Sequence, residues 1–83
     1  MTYLFLAPGF EEIEAIATID VLRRGGVDVR TISILPEKTV VGAHDVPVEA
    51  DDVINNVNIA DAEMLVLPGG MPGTTNLKKA WLF

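Results

Sequence analysis

Two runs of mostly apolar, strand-forming residues stand near the two ends of the chain, at residues 2–6 and 64–67. Each run is followed by a proline and glycine, which end a strand in a tight loop. Unbroken apolar runs of this length are typical of parallel strands that are covered on both faces. A third segment, residues 27–34, alternates in its first half, which predicts a strand nearer an edge of the same sheet.

Between the first two predicted strands the apolar residues follow a helical spacing. Glu11, Glu12 and Glu14 stand at the start of this segment, where carboxylates complement the positive end of a helix dipole. Two arginines and two glycines close it at residues 23–26, and such glycines form a left-handed cap. The sequence therefore predicts a helix here and, with the flanking strands, a right-handed parallel βαβ unit.

The predicted helix carries two apolar stripes that lie on roughly opposite sides. One stripe contains Ile13, Ile16, Ala17 and Val21, and the other contains Ala15, Ile19 and Leu22. One of them covers the sheet, and the other has no cover in a monomer. We expect a homodimer contact through Ala15, Ile19 and Leu22, or through another exposed apolar surface. Asp20 falls within the first stripe, so its carboxylate needs a hydrogen-bonding partner or an edge position.

Shorter segments complete the predicted architecture. Residues 39–41 and 46–49 flank a turn and predict a β-hairpin, whose second arm Pro47 places at an edge. Residues 51–60 are polar and predict a loop with at most one helical turn. A last helix is predicted after Thr74 or Thr75. Together these elements predict an α/β fold with three parallel strands, in a flavodoxin-like order that places the first strand between the other two.

Composition narrows the classes of partner. The 83 residues carry a net charge of −6 without a basic stripe, so nucleic acid and anionic membrane surfaces are not expected partners. No segment resembles a membrane span or a signal peptide, so we expect a cytoplasmic protein. The chain has no cysteine, which excludes disulfides and cysteine catalysis within it, and its single histidine, His44, leads us to expect no metal site and no cofactor.

The loop after the second apolar run, at Gly69 and Gly70, is the first candidate for chemistry. Ligands collect at the carboxyl ends of parallel strands, where glycines let backbone N–H groups approach an anion. A strand-to-helix turn explains the same two glycines equally well. Glu14 is the acid best placed to face this loop, although all three acids also suit the helix dipole. The loop lacks the spacing of a nucleotide phosphate motif.

His44 and Asp45 are adjacent in the turn of the predicted hairpin. Such a pair can act as a general base and the acid that orients it. A solvated turn explains it better, because no serine or cysteine nucleophile is apparent nearby. We therefore assign no role to His44.

Three segments together resemble the ThiJ/PfpI superfamily: residues 6–15 (LAPGFEEIEA), 19–26 (IDVLRRGG) and 66–73 (VLPGGMPG). The resemblance spans nearly the whole chain. It implies a flavodoxin-like three-layer sandwich of the class I glutamine amidotransferase type, usually dimeric. It also implies that Asp20 and Arg24 lie near the helix-mediated dimer contact of the family.

The resemblance further implies roles for the candidate site residues. Glu14 matches the protonated glutamic acid of the family, which hydrogen-bonds the reactive cysteine and favours its thiolate. Gly69 and Gly70 match the loop that supplies backbone N–H donors to an oxyanion. Where many relatives carry a basic hairpin residue, this chain has His44, so the resemblance does not carry an anion-binding role over to it.

The cysteine of the family follows a further helix and strand that these residues do not contain. We therefore expect residues 1–83 to be the truncated N-terminal half of a ThiJ/PfpI-type domain and to be inactive alone. The resemblance implies cysteine-dependent hydrolase, glyoxalase or protein deglycase chemistry on a small carbonyl substrate, or a stress-response role, for a full-length parent.

Two alternatives of other classes stay open. A non-enzymatic, self-associating or chaperone-like module is favoured by the two-sided helix and by the apolar residues 81–83. A receiver-like or flavodoxin-like ligand binder is favoured by the acids after the first strand. The second alternative lacks the paired aspartates and the later lysine that a receiver site needs.

Overall fold

The computed structural model describes residues 1–69. Its elements are β1 (Thr2–Leu6), α1 (Glu12–Arg24), β2 (Val29–Ser33), β3 (Thr39–Val41), β4 (Pro47–Glu49), β5 (Asp52–Val53) and β6 (Met64–Val66). Four strands form a parallel sheet in the order β5-β2-β1-β6, and β3 pairs with β4 in an antiparallel hairpin. The predicted α/β class and the central position of β1 are confirmed.

β1 is the centre of the core because both of its faces are covered. Leu4 and Leu6 point to the side of α1 and the hairpin, where they pack in one apolar cluster with Phe10. Tyr3 and Phe5 point to the other side, where the segment between β5 and β6 covers them. All five β1 residues are buried, and each large apolar side chain buried in this way contributes about 1.5–3 kcal/mol.

The ends of α1 follow the chemistry predicted for them. Glu11 is the N-cap, and its Oε1 accepts a hydrogen bond of 2.9 Å from the backbone N–H of Ile13. At the other end Gly26 has φ 83° and donates to the carbonyl of Arg23, while Val27 donates to Leu22. These bonds satisfy carbonyls of the last turn, so the two glycines do end the helix.

The orientation of α1 corrects the predicted dimer face. Ala15 and Ile19 are buried in the core cluster, and Leu22 packs against it. The opposite stripe faces outward, with Ile13 80% exposed and Val21 66% exposed. Ala15, Ile19 and Leu22 therefore face the core and not a partner, whereas a homodimer contact through another exposed apolar surface stays a prediction. The two stripes are similarly apolar, and only the direction in which the chain leaves β1 decides which one meets the sheet.

The second apolar run forms β6, and among residues 1–69 no element covers both of its faces. Within the described residues β6 is an outer strand that pairs only with β1. Met64, Leu65 and Leu67 are exposed, the last at 53%. An apolar run predicts that a strand will be buried, but it does not predict which part of the protein covers the strand.

The segment after the hairpin contains a strand that the sequence did not predict. Residues 52–53 form β5, which pairs with Ile32 and Ser33 of β2, and two short 3₁₀ turns follow.

The predicted hairpin is confirmed. Gly70, the predicted last helix and residues 81–83 lie outside the described residues. Among residues 1–69, no helix is long and apolar enough to cross a membrane.

Candidate functional site

The loop that follows β6 lies against the first turn of α1. The backbone N–H of Gly69 donates a 3.3 Å hydrogen bond to Oε1 of Glu14. The N–H of Glu11 in turn donates a 2.9 Å hydrogen bond to the carbonyl of Gly69. The structure therefore brings together Glu14 and Gly69, two of the three predicted site residues, while Gly70 lies outside the described residues.

Gly69 leaves room for the Glu14 carboxylate rather than supplying a left-handed backbone. A Cβ placed on it would lie 2.8 Å from Oε2 and 3.0 Å from Oε1 of Glu14, so the carboxylate, at the end of a flexible side chain, would have to shift. Among the described glycines, only Gly9 and Gly26 have a positive φ. A larger residue at position 69 would displace the Glu14 carboxylate and break its bond to the loop.

Glu12 pairs with the β3–β4 hairpin, whereas Glu14 pairs with the loop after β6. It is only 7% exposed, because its side chain turns towards the tip of the β3–β4 hairpin. Its Oε2 accepts the backbone N–H of His44 at 2.7 Å and that of Val46 at 3.3 Å. Its Oε1 lies 2.8 Å from Nδ1 of His44.

These contacts determine how Glu12 and His44 ionise. Burial raises the pKa of Glu12, but hydrogen bonds from the His44 side chain and from backbone N–H groups outweigh it and lower that pKa from 4.5 to about 2. The hydrogen bond that the His44 imidazole donates to Glu12, together with the negative charges of Glu12 and Glu11, raises the pKa of His44 above 6.5. The pair is therefore an ion pair at weakly acidic pH.

The structure gives His44 a partner that the sequence analysis did not predict. Its neighbour Asp45 occupies the left-handed turn position with φ 63°, and the imidazole pairs with Glu12. Gly42 permits this approach, because a Cβ there would overlap the Glu12 side chain. A glycine in the hairpin turn was the one available signal, and sequence reasoning did not connect it with an acid thirty positions earlier.

Two further ion pairs lie along α1. Arg23 donates to Oδ2 of Asp51 at 3.0 Å, and Thr31 donates to the same oxygen from both its backbone N–H and its hydroxyl. Burial raises the pKa of Asp51, but the bonds from Thr31 and the charge of Arg23 lower it below 3.8. Asp20 pairs with Arg24 at 3.0 Å, which supplies the partner that its position required. This exposed pair contributes little to stability.

A shallow groove of about 540 Å³ follows the exposed face of α1, away from the Glu14–Gly69 contact. Glu12, Ile13, Ile16, Ala17 and Asp20 line it. Its lining is mainly apolar, which suits a macromolecular surface better than a reaction centre. The chemistry available at the strand ends is the carboxyl group of Glu14, held by the N–H of Gly69, which can bind and orient a third group but supplies no thiol.

Comparisons with known proteins find similar sequences and similar folds. A model of the DJ-1/PfpI family matches residues 2–82. Protein DJ-1 homolog A of Arabidopsis thaliana is 40% identical over 73 residues, which are 88% of this chain and 19% of that protein.

Two solved structures are similar in fold and in sequence. A DJ-1 superfamily protein from Salmonella typhimurium, crystallised as a cysteine-to-alanine mutant, has a TM-score of 0.87 at 45% identity, covering 92% of this chain and 41% of that one. Oxidised Toxoplasma gondii DJ-1 has a TM-score of 0.90 at 34% identity, covering 95% and 43%. This chain therefore spans only about a fifth to just over two-fifths of the length of these three proteins.

Proposed function

The chain belongs to the DJ-1/PfpI family, and from that membership we propose that it supplies the acid and the glycine loop of a cysteine-dependent site without supplying the thiol. The observation that carries the proposal is the hydrogen bond from Gly69 to Glu14. It holds the carboxyl group beside a backbone N–H donor at the carboxyl edge of the sheet, where the family places its reactive cysteine.

A thiolate bound next to this pair would gain from both groups. The resemblance to the family implies that the Glu14 side chain would donate a hydrogen bond to the sulfur and favour the thiolate over the thiol. A backbone N–H of the loop then stabilises negative charge that develops on a substrate oxygen. Hydrolase, glyoxalase and deglycase chemistry on a small carbonyl substrate all need these two contributions, and all belong to a protein that also has the cysteine.

The proposal predicts no thiol-dependent catalysis by these 83 residues alone, because the family's covalent intermediate forms on a cysteine and the sequence has none. The test is the loss of a small 2-oxoaldehyde, followed with the purified chain and with its Glu14→Gln variant. Both rates are expected to equal that of buffer. Turnover that grows with chain concentration and disappears in the Glu14→Gln variant would overturn the proposal.

A second measurement tests the site without relying on activity. The amide resonance of Gly69 reports its hydrogen bond, so Glu14→Gln is expected to shift it. Glu37→Gln is the matched control, because Glu37 is an exposed acid in the loop before the hairpin. An amide shift in Gly69 that is equal in both variants would show that the carboxylate does not hold the loop.

We also propose that two copies associate through the outward stripe of α1, which is the alternative, non-enzymatic role of this chain. Three apolar side chains on one face support it: Ile13, Ile16 and Val21. Ile13 and Ile16 also line the shallow groove on this face, and Asp20, which pairs with Arg24, lies at its margin. A second copy offers the same apolar stripe, so a two-fold contact would bury both.

Light scattering on a size-exclusion column tests this surface. Ile13→Ser is expected to dissociate the dimer, whereas Leu67→Ser, at the end of β6 on another exposed apolar position, is expected to leave it intact. A wild-type monomer at all concentrations would contradict the proposal. Dissociation by Leu67→Ser alone would move the contact to the outer edge of the sheet.

A further inference from the structure

A second polar cluster lies at the start of α1, on the side of the hairpin rather than of β6. We propose that Glu11, Glu12 and His44 form a binding site for a divalent transition-metal ion, with Zn²⁺ the ion that fits it best. The three ligand atoms, one from each residue, all lie within 4.8 Å of one another. The proposal does not depend on the Glu14–Gly69 contact or on any catalytic role.

The spacing of the three atoms is close to that of a metal coordination shell. Two ligand atoms about 2.1 Å from one Zn²⁺ ion, at right or tetrahedral angles, are about 3.0–3.4 Å apart. Nδ1 of His44 is 2.8 Å from Oε1 of Glu12 and 3.7 Å from Oε2 of Glu11. These two distances lie just below and just above that range, and the oxygens of Glu11 and Glu12 lie within 4.8 Å of each other, so the Glu11 and His44 side chains would have to rotate to bring all three ligands onto one ion.

The two carboxylates are already oriented for this purpose. Oε2 of Glu12 is held by the backbone N–H groups of His44 and Val46, which leaves Oε1 directed at the imidazole. Oε1 of Glu11 is held by the N–H of Ile13, which leaves Oε2 on the same side. Each carboxylate thus has one oxygen anchored to backbone and one available, an arrangement that fixes ligands in known metal sites.

The position of the imidazole is also fixed by the fold. The hairpin tip is tied to the turn before α1 by two backbone bonds, from Gly9 to the carbonyl of Val41 and from Ala43 to the carbonyl of Phe10. His44 therefore comes to the helix start on a separate, docked element. This nitrogen ligand distinguishes the cluster from an ordinary acidic helix terminus.

The donor set selects the class of ion. One imidazole nitrogen and two carboxylate oxygens suit Zn²⁺ and its first-row neighbours, while the absence of sulfur makes the site a poor one for Cu(I). Two carboxylate charges balance the ion. Three protein ligands leave a fourth position for water or an external ligand. On binding, the ion takes the place of the proton between Nδ1 and Oε1, and that proton is released to solvent.

The experiment uses the full chain without a histidine tag and titrates it with Zn²⁺ at about pH 7, where the imidazole can release its proton. Calorimetry gives the number of ions bound, and we expect one per chain. His44 is the single histidine, so its imidazole resonances need no assignment in an NMR spectrum. They are expected to shift on addition of Zn²⁺, which binding to scattered surface acids would not cause.

Three variants test the ligands. His44→Arg keeps a positive charge beside Glu12 but cannot coordinate, so Zn²⁺ affinity is expected to fall by at least about tenfold without a change in circular dichroism. Glu11→Gln removes one ligand and keeps the Glu12–His44 pair, and a loss of similar size is expected. Glu37→Gln is the matched control in an exposed loop and is expected to leave the affinity unchanged.

The outcomes separate cleanly. An unshifted imidazole resonance at saturating Zn²⁺ overturns the proposal, as does His44→Arg binding with wild-type affinity. Equal weakening by Glu11→Gln and Glu37→Gln would show that the ion binds diffuse negative charge and not this cluster. Loss of binding in the first two variants alone, with one ion per wild-type chain, supports it.

Discussion

Replacing Ile19 and Ile13 of α1 by alanine, one at a time, tests the orientation of the helix on the sheet. The two substitutions remove the same atoms from the same helix, and each gains the same small helix propensity. Ile19 is 8% exposed and packs in the core cluster, whereas Ile13 is 80% exposed. The difference between the variants therefore measures burial alone.

The magnitude follows from the atoms removed. Isoleucine has three more side-chain carbons than alanine, and each buried carbon contributes about 0.8 kcal/mol, so the transfer cost at Ile19 is about 2 kcal/mol. The cavity left behind adds to it, which gives about 2–4 kcal/mol in total. A chain of 83 residues has a free energy of unfolding of about 4–12 kcal/mol, so this is a large fraction. The Ile13 variant is expected to change by less than about 0.5 kcal/mol.

Urea unfolding followed by far-ultraviolet circular dichroism measures both variants. Ile19→Ala is expected to lower the midpoint at an unchanged slope, because the surface exposed on unfolding stays nearly the same. The experiment is run at two protein concentrations, since a dimer makes unfolding depend on concentration. Any effect of Ile13→Ala is expected only at the higher concentration.

The observed orientation of α1 would be refuted if the two variants lose equal stability at low protein concentration, or if Ile13→Ala loses more. Either result would mean that the stripe of Ile13 meets the sheet, as the original dimer assignment required. A loss below about 1 kcal/mol at Ile19 would show that the core relaxes into the space and that the packing is looser than its burial indicates.

The remaining predictions concern the contact between helix and hairpin. The single imidazole of His44 is expected to titrate above 6.5 by NMR and to return towards that value in Glu12→Gln; an unchanged pKa would disprove the pairing. Because the folded pKa of His44 is raised, its contribution to stability is fully present below 6.5 and is lost as pH rises through the folded value. The folded pKa of Glu12 is lowered from 4.5 to about 2, so its contribution to the free energy of unfolding is present above pH 4.5 and is lost as the pH falls from 4.5 to about 2. A midpoint of urea unfolding that stays constant from pH 4.5 to 2 would contradict this. Gly42→Ala is expected to destabilise the chain more than Gly25→Ala, whose added Cβ would meet backbone atoms no closer than 3.5 Å; equal midpoints of thermal unfolding would show that Glu12 can move aside without loss.

Local sequence signals were sufficient for most elements of the described fold. The strands β1, β2 and β6, the helix and the hairpin all follow from apolar periodicity and from the glycines and prolines that end each segment. β5 did not follow, because two residues carry no periodicity and are ordered by pairing with β2. The contact of Glu14 with Gly69 was predictable because the ends of neighbouring parallel strands meet at one edge.

The sequence by itself determined the α/β class, the order of β1 between its neighbours, and the family, because these depend on spacing along the chain. Only the tertiary structure decided which stripe of α1 is buried. The two stripes are similarly apolar and belong to one helix, so they differ only in whether the sheet or solvent lies next to them. It alone also assigned Glu12 to His44 instead of leaving it to the helix dipole. Glu12 and His44 are distant in the chain and meet only when the hairpin packs against the start of α1, so no local sequence pattern predicts their contact.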